Sequence, residues 1–143
     1  MARIHIASDH AGFALKAELI TQLQSQGHDI IDHGCDQATS CDYPDFAHAT
    51  CTALLADADA FGILVCGTGV GISIAANRHK GIRAALCTNE FLARATRMHN
   101  NANVLCLGER VVGAGLALSI TEVFLNTAFE GGRHQRRIDK INA

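Results

Sequence analysis

The stretch FGILVCGTGVGISIAAN, residues 61–77, decides the fold. Its first six residues form a short apolar run, which predicts a buried strand. The glycines of CGTGVG, residues 66–71, then predict a tight loop, because glycine adopts backbone conformations that other residues avoid. A short helix follows this loop as far as Asn77. A strand, a glycine-rich loop and a helix in this order are typical of one unit of a parallel α/β sheet.

Short apolar runs alternate with longer helical stretches along the rest of the chain. Gly27 is suited to end the first helix, and Pro44 suits the first turn of the next. The pattern predicts strands at 3–7, 28–32, 61–66, 82–87 and 103–107, and helices at about 12–26, 43–58, 89–98 and 112–128, with a short helix ending at Asn77 and a basic helix after Gly131-Gly132.

This alternation predicts an α/β fold with three layers, α/β/α, around a five-stranded parallel Rossmann-like sheet, and with a C-terminal basic helix. A length of 143 residues suits a single domain, residues 1–143, whose core needs neither metal nor disulfide. Such sheets bind ligands beyond the carboxyl ends of their strands. The loops expected there are Asp9-His10, after the first strand, and residues 66–71, after the third.

Composition and charge exclude several classes of function. Hydrophobic residues make up 48% of the chain and charged residues 18%, which argues against intrinsic disorder. The formal net charge of −2 disfavours binding to nucleic acid or to an anionic membrane surface. No apolar stretch approaches the roughly 20 residues that span a bilayer, and MARIHIASDH does not resemble a signal peptide. We therefore expect no nucleic-acid partner and no membrane partner.

The six cysteines predict a reducing compartment. No two are spaced as CxxC, so neither a redox pair nor a zinc knuckle is indicated. Most lie in apolar runs such as LVC, AALC and VLCL, where cysteine behaves as a small buried hydrophobe. Three disulfides are the alternative, but reduced thiols fit the apolar context better. The expected location is the cytoplasm.

Cys66 stands at the mouth of the glycine loop, where chemistry is expected. A thiol beside amides and a helix N-terminus becomes a thiolate more readily than an isolated one, and the same amides can bind an oxyanion. The loop is neither a dinucleotide fingerprint, which would need glycine in place of Ile72, nor a P-loop, which needs GK[ST]. A structural turn with an inert thiol is the alternative.

Two further pairs of polar residues lie at the ends of predicted elements. Asp9-His10 can order or titrate a sugar hydroxyl, although this pair taken alone is better explained by a helix N-cap at Asp9 with an incidental histidine. His99-Asn100 ends a helix, where both residue types also serve as caps. Because this helix precedes the fifth strand, His99 is expected at the end of the sheet opposite Cys66. A neighbouring subunit would then supply one of the two to a common site.

The basic tail GGRHQRRIDK places two arginines on one helix face. Arg133 and Arg137 are four residues apart, and two guanidiniums on one face form a fork for phosphate. Arg110, after the fifth strand, can add a third guanidinium. A solvated basic tail without a ligand is the alternative.

Five segments carry a family resemblance across most of the chain: SDHAGFALK, DYPD, CGTGVGISIAANRHKGIRAALC, HNNANVLCLGERVVG and EGGRHQRRIDKI. With them the chain resembles the type B ribose-5-phosphate isomerases, a family that also contains the allose-6-phosphate and galactose-6-phosphate isomerases. The resemblance implies an aldose–ketose isomerase that works without metal or organic cofactor. It also implies a homodimer or homotetramer whose active sites are shared between subunits.

The resemblance further implies roles for individual residues. Cys66 would be the base that moves a proton between C1 and C2 through an enediolate. Some family members use a glutamate further along the helix instead, but Ala75 and Ala76 offer no carboxylate here. His99, assisted by Asp9, would open the furanose ring. The remaining roles are enediolate stabilisation by Thr68 and the amides of Gly67, Gly69, Val70 and Gly71, phosphate binding by His10, Arg110, Arg133 and Arg137, and hydroxyl contacts by Tyr43 and Asn100.

The resemblance favours interconversion of D-ribose 5-phosphate and D-ribulose 5-phosphate, in the non-oxidative branch of the pentose phosphate pathway. The same chemistry on allose 6-phosphate or galactose 6-phosphate is the nearest alternative, because the sequence does not size the pocket. A non-catalytic sugar-phosphate binding module is an alternative of another class, and it would not need Cys66, Asp9 and His99 together. A thiol-redox protein is disfavoured, because no second cysteine lies near Cys66 in sequence.

Overall fold

The computed structural model describes residues 1–143, in which five short strands alternate with helices. The strands are β1 (Arg3–Ser8), β2 (Asp29–Asp32), β3 (Phe61–Cys66), β4 (Ala84–Leu86) and β5 (Val104–Gly108). The helices are α1 (Phe13–Ser25), α2 (Tyr43–Leu55), α3 (Val70–Ala76), α4 (Glu90–Asn100), α5 (Ala114–Asn126) and α6 (Arg133–Ile141), and a 3-10 turn at His10–Gly12 precedes α1.

All five strands are parallel and pair in the order β2-β1-β3-β5-β4. The chain runs from β1 outward to β2 and then crosses to the other side of β1 for β3. The carboxyl ends of β1 and β3 therefore flank the point where the strand order reverses, which is where open α/β sheets bind ligands. Ser8 pairs with Val65 in this register, so Asp9 and Cys66 leave the sheet side by side.

Helices cover both faces of the sheet, and the predicted three-layer fold is confirmed. Side chains alternate along β3: Ile63 and Val65 belong to the core beneath α1 and α5, whereas Leu64 and Cys66 belong to the core beneath α2 and α3. The central strands are buried on both faces, as expected in a parallel sheet. The basic C-terminal helix α6 packs against α4.

The predicted boundaries agree with the structure within two residues, except at the end of α2. That helix ends at Leu55 rather than at residue 58, because the chain turns there and Asp59 has a φ of 68°. Strand β4 is shorter than the predicted 82–87, since it is an edge strand that pairs only with β5. Helix α4 continues two residues past the predicted 98, and Asn101 closes it with a left-handed φ of 46°.

All six cysteines are unpaired thiols, so the alternative of three disulfides is wrong. Five of them are buried: Cys66, Cys87 and Cys106 in their apolar runs, as predicted, together with Cys51 and with Cys35, which lies in a polar stretch of sequence. Cys41 is partly exposed. None of the helices is both long enough and apolar enough to cross a membrane.

Candidate active site

A cleft of about 250 Å³ opens at the carboxyl ends of β1 and β3. Every lining residue except Ala11 is a predicted site residue. The lining comprises Asp9, His10, Ala11, Tyr43, Cys66, Gly67, Thr68, Gly71 and Arg110. A larger cavity, of about 530 Å³, follows β4 and α4, but it is mostly apolar and contains neither a carboxylate nor an imidazole. The smaller cleft therefore holds the groups that can do chemistry.

Cys66 is the last residue of β3 and is only 4% exposed. Its Sγ accepts a hydrogen bond from the N–H of Gly69 at 3.1 Å. The loop folds back onto the sulfur because Gly69 has a φ of 81°, and a Cβ there would lie 2.9 Å from the carbonyl carbon of Leu107. An N–H directed at the sulfur stabilises negative charge on it.

The neighbouring core thiols are held neutral. Burial raises the pKa of both Cys51 and Cys87 to about 11. Burial also raises the pKa of Cys106, and the nearby thiols act in the same direction. None of these three side chains lines the cleft. Among these four buried thiols, Cys66 is therefore the one that lines the cleft.

The N–H groups of the glycine loop divide into two sets. Gly69 donates to Cys66, and the N–H of Val70 donates to Oγ1 of Thr68 at 3.2 Å. No hydrogen bond within the chain uses the N–H of Gly67, Thr68 or Gly71, all of which line the cleft. The donors left for an oxyanion are therefore these three, a narrower set than the one predicted.

Asp9 and His10 are both fixed by backbone contacts. Oδ1 of Asp9 accepts hydrogen bonds from the N–H groups of Ala11 at 2.9 Å and Gly12 at 3.1 Å. The capping interpretation of Asp9 is therefore correct, and it does not remove the carboxylate from the cleft. Nδ1 of His10 lies 3.2 Å from the backbone nitrogen and 3.3 Å from the carbonyl oxygen of Cys41, which leaves Nε2 free to face a ligand.

Tyr43 and Arg110 form the remaining sides of the cleft. The ring of Tyr43 lies so close to Gly71 that a Cβ on this glycine would be 2.7 Å from the ring. The guanidinium of Arg110 lies over Gly67 and is not paired with a carboxylate. An unpaired guanidinium beside a histidine is suited to bind phosphate.

The other predicted residues lie in a second group, which we call the α4–α6 group: His99, Asn100, Arg133 and Arg137. His99 and Asn100 end α4, and both arginines are exposed on α6 without an ion-pair partner. Asn100 is hydrogen-bonded at Oδ1 by Oγ1 of Thr96, at 3.0 Å.

Glu130 and His134 also belong to the α4–α6 group, although neither is a predicted site residue. Nε2 of His99 lies 3.4 Å from Oε1 of Glu130, and Nε2 of His134 lies 3.7 Å from the same oxygen. The two imidazole rings are stacked, with centroids 4.5 Å apart. The pKa of His134 is lowered, first by burial and then by the charge of His99, while Glu130 opposes the shift. The i, i+4 spacing of Glu130 and His134 in EGGRH is the signal that could have indicated them.

The two groups lie at opposite ends of the sheet. Cys66 is at the carboxyl end of β3, whereas α4 ends where the chain enters the amino end of β5. The five residues of β5 span about 16 Å, so one chain does not bring His99 to Cys66. In a single chain Asp9 accompanies Cys66 and not His99, the residue that it is predicted to assist.

Comparison with known proteins places this chain among isomerases of sugar phosphates. The family model described as Ribose/Galactose Isomerase matches residues 4–141. Ribose-5-phosphate isomerase B of Escherichia coli is 45% identical to this chain over 143 residues, which cover 100% of this chain and 96% of that protein.

Solved structures give the same result at the level of the fold. The crystal structure of a ribose 5-phosphate isomerase from Thermotoga maritima matches with a TM-score of 0.97 and 52% identity, covering 99% of this chain and 97% of that one. The crystal structure of ribose-5-phosphate isomerase B from Mycoplasma genitalium with bound ribulose-5-phosphate matches with a TM-score of 0.94 and 45% identity, covering 98% and 93%.

Proposed function

The chain belongs to the ribose/galactose isomerase family, and from this premise we propose how its residues interconvert D-ribose 5-phosphate and D-ribulose 5-phosphate. It is an aldose–ketose isomerase: relatives similar over the full chain are named ribose-5-phosphate isomerase B, and one of them holds ribulose-5-phosphate. The observation that supports the mechanism best is the position of Cys66. Its sulfur lies in the cleft beside N–H groups that have no partner in the chain.

Cys66, as a thiolate, is the base of the proton transfer. It removes the proton from C2 of the open-chain aldose, and the electron pair moves onto the C1 oxygen to give an enediolate. The hydroxyl proton passes from O2 to O1, and the Cys66 thiol returns its proton to C1, which leaves a ketone at C2. The N–H groups of Gly67, Thr68 and Gly71 stabilise the charge of the enediolate, as an oxyanion hole does.

Ring opening precedes this transfer and uses groups from both ends of the sheet. His99 donates a proton to the ring oxygen, and the C1 hydroxyl loses its proton to Asp9. The phosphate is bound by His10 and Arg110 on one side and by Arg133 and Arg137 on the other. Tyr43 and Asn100 contact the hydroxyl groups of the sugar. Binding energy from the remote phosphate orients the small reacting end.

A complete site needs two copies of the chain, and we propose a homodimer or a homotetramer of such dimers. The separation of Cys66 from His99 supports this assembly, since each chain holds half of the required groups. The apolar cavity along β4 also supports it, because Ile141 lines that cavity and is 64% exposed in the isolated chain. Phe91, which precedes the cavity residue Leu92 in α4, is 70% exposed. Exposed apolar side chains around an unpaired edge strand suit an interface.

Three further aspects of the function are proposed on the same basis. Residues 1–143 act as one sugar-phosphate isomerase domain, because a single sheet supports both halves of the site. The reaction belongs to the non-oxidative branch of the pentose phosphate pathway, which is where ribose 5-phosphate and ribulose 5-phosphate are interconverted. The six unpaired cysteines suit the reducing cytoplasm.

Proton NMR of ribose 5-phosphate in D₂O tests the reaction directly. We expect catalytic amounts of the protein to introduce deuterium at C2 while ribulose 5-phosphate accumulates. Binding of the sugar phosphate without exchange would instead make the protein a non-catalytic module. Values of kcat/KM on ribose 5-phosphate, allose 6-phosphate and galactose 6-phosphate then rank the substrates, and a higher value on a six-carbon substrate would contradict the assignment to ribose.

A further inference from the structure

Three side chains from separate segments converge beside the end of α4. His99 lies in the last turn of α4, Glu130 lies in the connection between α5 and α6, and His134 lies in the first turn of α6. One ligand-type atom from each of them lies within 4.8 Å of the other two. The two ε nitrogens both approach the same carboxylate oxygen of Glu130.

The separations in this cluster suit a shared ion better than hydrogen bonds. The nitrogen-to-oxygen distances are 3.4 Å from His99 and 3.7 Å from His134, whereas strong N–H···O bonds are about 2.7–3.2 Å long. Ligands that lie about 2.0–2.1 Å from a tetrahedral zinc ion are separated from one another by about 3.4 Å. Both nitrogen-to-oxygen distances are close to that spacing, and the two imidazole nitrogens lie within 4.8 Å of each other, so a small movement of the rings would bring all three atoms around one ion.

The backbone holds this arrangement without an ion. The N–H of Glu130 donates to the carbonyl oxygen of Met98 at 3.1 Å, which ties the connection to the end of α4. Gly131 and Gly132 have φ values of 71° and 57°, and these left-handed conformations turn the chain into α6 so that His134 returns over His99. Because these contacts already bring the three side chains together, an ion that binds there orders them at a smaller cost in conformational entropy.

We propose that His99, Glu130 and His134 form a binding site for a divalent cation of the zinc type, and that an ion bound there inhibits the enzyme. Two imidazoles and one carboxylate are a common donor set for zinc, with water in the fourth position. The ion would occupy Nε2 of His99 and so withhold it from the sugar. This inhibition rests on the role proposed for His99 in ring opening, whereas binding itself does not.

The positive charges near the site are expected to make binding of the ion weak enough to be reversible. Glu130 supplies the only negative charge of the cluster, and Arg133 and Arg137 lie on the same helix as His134. The guanidiniums repel a cation, so we expect a dissociation constant in the micromolar range and full release to a chelator. Such a site responds to the concentration of free metal and does not serve as a resident cofactor site.

Calorimetric titration of the full-length protein with zinc chloride tests the binding. One ion per chain is expected, and Glu130→Gln and His134→Ala should each weaken the affinity at least about tenfold. His48→Ala is the matched control. His48 and His79 form another imidazole pair, with 2.6 Å between Nδ1 of His48 and Nε2 of His79, but this pair has no third ligand. Cys66→Ala should bind zinc as the wild type does. Absence of stoichiometric binding, or binding lost in Cys66→Ala but kept in His134→Ala, would overturn the proposal.

Turnover of ribose 5-phosphate tests the consequence. Zinc should inhibit the wild type and His48→Ala at concentrations near the calorimetric dissociation constant, and EDTA should restore the activity. Glu130→Gln should need at least about tenfold more zinc for the same inhibition. Stoichiometric binding with unchanged turnover would overturn the inhibition. Calorimetry would still decide whether the site exists, even if the protein did not isomerise ribose 5-phosphate.

Discussion

At the scale of single residues, Cys66 differs from the other core cysteines in what surrounds its sulfur. An N–H of the glycine loop points at it, and a cleft gives it access to a ligand. Cys51 lies in the same core as Cys66, and Cys87 lies in the core on the other face of the sheet. Neither lines the cleft, and burial raises the pKa of each to about 11. Residue type alone does not separate these thiols, but their position in the fold does.

We predict that Cys66→Ala lowers kcat by about 10²–10⁴-fold, which is the usual contribution of a general base. Substrate binding should change little, since the phosphate contacts remain. Deuterium exchange at C2 measures the rate, and Cys87→Ala is the control because its thiol lies outside the cleft. Exchange at the wild-type rate in Cys66→Ala would remove this residue from the mechanism.

Gly71 sets the position of Tyr43, and a methyl group there should disturb the cleft. In Gly71→Ala the new Cβ would lie 2.7 Å from the Tyr43 ring, so the ring must move away. We expect KM to rise several-fold without a gain in stability. Gly115→Ala is the matched control, since a Cβ at Gly115, in α5, meets nothing within 4 Å. This control should keep full activity and gain up to about 1 kcal/mol in the free energy of unfolding. An unchanged KM in Gly71→Ala would show that the position of Tyr43 does not matter for binding.

At the scale of elements, a chain of imidazoles joins β1 to its neighbours away from the cleft. His5, which is buried in β1, contacts Nε2 of His33 through Nδ1 at 2.8 Å and Oδ2 of Asp57 through Nε2 at 2.7 Å. Arg3 contacts the same carboxylate oxygen at 3.0 Å. The end of β2, the middle of β1 and the turn after α2 are thus connected by polar groups that protonation can disturb.

This network predicts a loss of stability in acid. The pKa of His33 is lowered, first by burial and then by His5, while Asp32 opposes the shift. His33 therefore binds a proton more tightly in the unfolded chain than in the folded one. Stability that is present above about pH 6.5 is lost as the pH falls. We expect the midpoint temperature of thermal unfolding to decrease as the pH is lowered from 7.5 to 5.5. The decrease should be smaller in His33→Gln. The same slope in His33→Gln, measured by circular dichroism, would contradict this origin.

The elements themselves follow from local patterns, whereas their ends depend on contacts. Apolar periodicity is enough to predict β3 and the body of α1. The end of α2 is not predictable in this way, because Asp57 turns out of the helix to meet Arg3 and His5, which are more than fifty residues away in sequence. Strand β4 is short because it lies at the edge of the sheet. The order of the strands in the sheet cannot be predicted from any local sequence pattern.

At the scale of the whole molecule, the order of elements along the sequence predicts that the Cys66 cleft and His99 lie at opposite ends of the sheet. The cleft residues near Cys66 follow two strands that are neighbours in the sheet, so their convergence is predictable from topology. The stacking of His134 on His99 is not, because Gly131 and Gly132 reverse the chain between them. The proposed assistance of His99 by Asp9 would need a second chain, and no pattern within one chain specifies that geometry.

The shared site is the central claim, and mixing two inactive variants tests it most directly. A homodimer of Cys66→Ala or of His99→Ala lacks one of these residues in both of its sites. A mixed dimer of the two variants contains one site in which both residues are intact. Random exchange of subunits makes half of the dimers mixed, so activity should recover to about a quarter of the wild-type value. If the mixture stays inactive while native mass spectrometry shows that mixed dimers have formed, Cys66 and His99 do not serve one site across two subunits.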